Sequence, residues 1–67
     1  MSIKDKEQII KQVVQAGKDV NAGIFDILHS VNDLGLGQFD HAITDIENAF
    51  TEFKKAIETL KEIKANE

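Results

Sequence analysis

Ile3, Ile10, Val13, Gly17, Val20, Ile24, Ile27, Val31 and Leu34 follow one another at a first spacing of seven and then at three and four in alternation. Phe39, Ile43, Ile46, Phe50, Phe53, Ile57 and Leu60 repeat the alternation. A half-buried strand would place every second residue on one face, whereas three-four spacing is the stripe of an α-helix packed along another helix. An all-α fold is therefore expected, with two helices over about 3–33 and 38–65 and a single domain, 1–67.

The rhythm fails once, with a gap of five between Leu34 and Phe39, and the gap holds Gly35 and Gly37. A glycine inside a helix costs about 1 kcal/mol, but just past a helix end it takes a positive φ without strain. The stretch "DLGLGQFD" thus reads as a tight reversal, and so short a connection makes the helices antiparallel. Ser2, with Asp5 three residues on, is expected to cap the first helix. Gly37 is expected to open the second, with Asp40 near its positive dipole end.

Pairing the stripes across the reversal predicts the layers Val31–Phe39, Ile27–Ile43, Ile24–Ile46, Val20–Phe50, Gly17–Phe53, Val13–Ile57 and Ile10–Leu60. In that register Gly17 leaves room for the Phe53 ring. Beside the stripe runs a row of small residues that allows backbones to approach closely: Ala16 and Gly23 on the first helix, Ala42, Ala49 and Ala56 on the second.

The first helix carries further apolar residues outside the stripe, Ile9, Val14, Phe25 and Leu28, more than one neighbouring helix covers. These four are the expected partner-binding residues. The chain has 67 residues and no cysteine, so it buries a small share of its surface with no disulfide to compensate. A second copy is the simplest cover, giving a homodimeric four-helix bundle; another helical protein is the alternative partner.

The net charge of −4 is unevenly spread. All seven charged residues from Asp19 to Glu52 are carboxylates, and the eight lysines lie outside that window. Folding back at the glycines makes the turn end acidic, with Asp26, Asp33, Asp40 and Asp45 at the tip. Such a field would favour antiparallel docking of two hairpins or steer a basic partner. No apolar run approaches the ~20 residues of a membrane span, and the N-terminal stretch lacks the apolar segment of a signal peptide. No membrane association and a cytoplasmic location are expected.

Chemistry finds little support. Gly35-Leu36-Gly37 follows no strand and precedes no Walker lysine, and the surrounding aspartates would repel a phosphate. His29 with Asp33 and His41 with Asp45 have the i, i+4 spacing of metal ligands, but on outer positions the two pairs are expected to point apart. No catalytic residues, metal or cofactor are therefore assigned. A dimeric hairpin can present lysines to RNA, yet the chain has no Arg, Tyr or Trp and is acidic, so nucleic acid is an unfavoured partner. The turn also differs from the Trp-x-Gly turn of small exported hairpins. A non-enzymatic interaction module, regulatory or structural, is the expected function. The alternative is an acidic inhibitor that occupies a basic surface of a partner protein.

Overall fold

The computed structural model describes residues 3–66 and consists of two packed helices, α1 (Ile3–Gly35) and α2 (Phe39–Ala65), joined by a three-residue turn. The helical hairpin expected from the stripes is present, with α1 continuing through Gly35. The cap expected at Ser2 lies outside the described residues.

The reversal is built from backbone hydrogen bonds. The Gly37 N–H donates to the Leu34 carbonyl (3.1 Å) and the Gln38 N–H to the Asp33 carbonyl (2.8 Å), the paired bonds of a Schellman ending. That ending needs a left-handed residue, and Gly37 supplies it at φ 73°. Gly35 does not: it closes the helix in ordinary helical conformation. Gln38 then serves α2 as well, its carbonyl accepting the first helical bond from the Ala42 N–H (3.1 Å), without a side-chain cap. Asp40 in the first turn and Lys64 in the last complement the dipole of α2.

With the heptad lettered a to g so that Ile10, Gly17, Ile24 and Val31 stand at a, the stripe occupies rows a and d. Those rows do not form the seam between the helices. The seam is the g row: Ala16, Gly23 and Ser30 on α1 are buried, as are Ala42, Ala49 and Ala56 on α2. Each helix is thus rotated by about one row from the orientation that large side chains at the centre would require.

The expected layers are corrected accordingly. Gly17 faces open space, with nothing within 4 Å of where a Cβ would stand. The glycine that accommodates Phe53 is Gly23, where an added Cβ would overlap the ring, lying 2.8 Å from Cδ1 and from Cζ. Ser30 completes the small row that its spacing from Gly23 and Ala16 announces. Its hydroxyl donates to the Ile27 carbonyl at 2.6 Å, so a polar side chain sits in the seam without an unmet hydrogen bond.

Small side chains bring the helix axes close but bury little apolar area. The result is a thin rod of 52 × 15 × 10 Å with a radius of gyration of 15.5 Å. A compact chain of this length would have a radius of gyration of about 11 Å. Its accessible surface is 5275 Å², against roughly 4200 Å² for a compact monomer of the same mass.

Candidate functional site

The rotation that buries row g turns rows a and d outward together. On the two helices they form one continuous apolar face beside the seam. Phe50 is 67 % exposed, Phe39 63 %, Ile10 62 % and Ile43 55 %, although each repeats with the period of a packed stripe. Only Ile27, Ile46 and Phe53, the d residues nearest the seam, are half-buried. Twelve a and d side chains remain exposed, from Ile3 at the open end to Leu34 and Phe39 at the turn. With about 100 Å² bare on each, the face presents on the order of 1000 Å², several times a usual surface patch and close to one partner's share of a stable interface.

The four residues singled out on α1 fall in two places. Val14 and Leu28 stand at row e, on the outer edge of this face, with Phe25 one row further round, and all three are exposed. Phe25 and Leu28 line a shallow groove with His29 and Asn32. Ile9 belongs to row g and is half-buried, lining a groove at the open end with Gln12 and Ile63. The larger a/d face escaped the sequence reading because its residues were assigned to the seam.

The other side of the seam is row c, which carries Asp19, Asp26 and Asp33 on α1 and Asp45 and Glu52 on α2, all half-buried. Here the expectation that the two His-Asp pairs point apart is corrected for their aspartates alone. The Asp33 and Asp45 carboxyl groups approach each other across the hairpin. Two carboxyl groups can hydrogen-bond only while one of them is protonated, and this interaction with Asp33 raises the Asp45 pKa above its ordinary value. Desolvation and the Asp33 charge add to the rise, while His29 and His41 oppose it. Asp40, the remaining tip residue, is exposed on α2 beside His41 and Thr44.

Among the described residues no three His, Asp or Glu side chains are grouped to hold a metal ion. No helix among them is long and apolar enough to cross a membrane. The glycine pair builds a helix ending whose amides are spent on Asp33 and Leu34. The hairpin presents a surface that is apolar on one side of the seam and acidic on the other. No protein family, curated protein or solved structure matches this chain.

Proposed function

We propose that this protein is a non-enzymatic interaction module, regulatory or structural, that works by helix–helix packing: its a/d face docks on the same face of a second copy and completes a four-helix bundle. One observation carries the reading, the exposure of large apolar side chains that keep the spacing of a packed stripe. Two such faces brought together bury about the area a stable dimer needs. The excess surface and elongated shape of the single hairpin point the same way, because a bundle of four helices encloses a core where two helices do not. Ile27, Ile46 and Phe53, already half-covered, become the centre of that core.

Light scattering coupled to size exclusion across a dilution series tests this. A dimer is expected for the native chain. Phe50→Asp, at the middle of the face, is expected to weaken it by a hundredfold or more, about 3 kcal/mol. A compact native monomer at every concentration overturns the proposal.

A second reading draws on row c. Docking through a and d leaves the acidic side of each hairpin free to meet a basic surface on another protein, the acidic-inhibitor alternative. Capture of such a partner that persists unchanged at high ionic strength excludes it.

A further inference from the structure

Rows at the edge of the face carry information that the face itself does not. We propose that the two copies dock with their turns at opposite ends, α1 against the partner's α1 and α2 against the partner's α2. This rests on the self-association proposed above and adds its geometry.

A two-fold axis can close two face-to-face hairpins in two ways. An axis along the helices keeps both turns at one end and lays α1 over the partner's α2. An axis across the helices puts the turns at opposite ends and lays like over like. Row e, flanking the face on the side away from the seam, distinguishes them. On α1 it reads Glu7, Val14, Asn21, Leu28, and on α2 Asp40, Glu47, Lys54, Lys61, with all eight exposed. The edge of α1 is partly apolar, while the edge of α2 is acidic towards the turn and basic towards the open end.

The opposition of Gly23 to Phe53 and of Asp33 to Asp45 fixes which residues lie level in the hairpin. Within row e of α2, Glu47 is the residue nearest the level of Leu28 and Lys61 the one nearest the level of Val14. With the turns at one end, each apolar edge residue of α1 would therefore face a charge on the partner's α2. The two carboxylate-only turn regions would also lie side by side.

With the turns at opposite ends, α2 runs antiparallel to its own copy. An axis level with residues 51 and 52 brings Glu47 within about one helical half-turn, roughly 3 Å along the axis, of the partner's Lys54 and Asp40 within the same offset of the partner's Lys61, each pair occurring twice by symmetry. The same placement interleaves a with d: Phe50 with the partner's Phe53, Ile46 with the partner's Ile57, Ile43 with the partner's Leu60. It also brings the axis past α1 near residue 25, where Phe25 and Leu28 of both copies gather. The charged edge of α2 is thereby matched, opposite charge to opposite charge, and no apolar edge residue of α1 meets a charge, Leu28 falling nearest the partner's Asn21 and Val14 nearest the partner's Gly35. Ion pairs at a rim add little to affinity, but they discriminate strongly between arrangements that pair opposite and like charges.

The chain has no cysteine, so Leu36→Cys in the turn, exposed in the hairpin, accepts a single spin label. In the opposite-end dimer the two labels lie about 40 Å apart, twice the helical rise from residue 37 to the axis. In the same-end dimer they lie roughly 15–20 Å apart, set by the width of a bundle. The long distance supports the proposal. The short distance overturns the orientation and leaves self-association standing, and an absence of dipolar coupling in a monomeric sample overturns both.

A charge exchange checks the cause. Lys54→Glu with Lys61→Glu is expected to raise the dimer dissociation constant on the order of tenfold to a hundredfold at low salt. Adding Asp40→Lys and Glu47→Lys is expected to restore it. Failure of the fourfold variant to recover, with helicity intact, shows that row e does not set the orientation.

Discussion

Rows g and a run the length of both helices with row d between them, and they differ in the size of what they carry and in where it goes. On row g, Ala49 is fully buried at 0 % exposure, and Ala42 and Ala56 are nearly so. One residue further along, Phe50 is bare, as are Ile43 and Ile57. Contact between two helices selects the row that allows the shortest distance between axes, and methyl groups and hydrogens allow a shorter one than rings and branched chains. Burying an alanine methyl contributes less than 1 kcal/mol, whereas burying a Phe or Ile contributes about 1.5–3 kcal/mol. The hairpin contact is thus the close one and the weak one, and the larger part of the hydrophobic free energy is held on the face left open.

The strongest way to break this contrast is to enlarge a residue on row g and to reshape one on row a at constant volume. Ala49→Leu forces three carbon atoms into a seam with no free volume and is expected to cost about 1–3 kcal/mol or more. Ile43→Leu, the same class of side chain on the open face, is expected to stay within about 1.5 kcal/mol. Urea denaturation at a fixed protein concentration measures both. Equal losses would mean that row g is not the seam.

A finer test uses the two glycines inside α1. Gly17→Ala meets open space and is expected to stabilise by about 0.5–1 kcal/mol through helix propensity alone. Gly23→Ala gains the same propensity but must displace the Phe53 ring, and overpacking of about 1–3 kcal/mol makes it neutral to destabilising. Thermal melts of the two variants should move apart from the native value. A reversal of that order would return Phe53 to Gly17 and restore the seam that side-chain size suggests.

The smallest effect belongs to the acidic side. The Asp45 pKa is raised in the fold, first by its hydrogen bond to Asp33, so protonation favours the folded state. That contribution is complete below the ordinary value of 3.8 and is lost as pH rises through the raised one. Asp45→Asn keeps a donor to Asp33 at every pH. It is expected to melt slightly above the native chain at pH 7 and to lose that advantage below pH 3.8. An advantage that stays constant with pH would show that Asp33 and Asp45 do not share a proton.

Much of the fold was legible in particular residues. Uninterrupted three-four spacing specified two helices, and Gly37 inside the single break specified where the chain reverses. The small row was visible too, as Ala16, Gly23, Ala42, Ala49 and Ala56, although Ser30 was missed because a serine is an uncommon reading for a seam position. Its place seven residues beyond Gly23 was the available signal. The site was less legible. Val14, Phe25 and Leu28 were found as excess apolar surface, but Phe39, Ile43 and Phe50 were spent on the wrong contact, and Asp33 and Asp45 were placed on outer positions. All of these follow from one rotation, since a helix turned by a row moves d towards the seam's edge, a into the open and c to the opposite flank.

By itself the sequence determined the helices, the turn and the existence of two periodic rows, because backbone hydrogen bonding, glycine's freedom at positive φ and side-chain period act within a few residues. Tertiary structure alone decided which row the helices share. Rows seven residues apart are equally regular whatever their size, and the choice between close contact of small groups and wider contact of large ones depends on the distance between two axes, a quantity that no single helix contains.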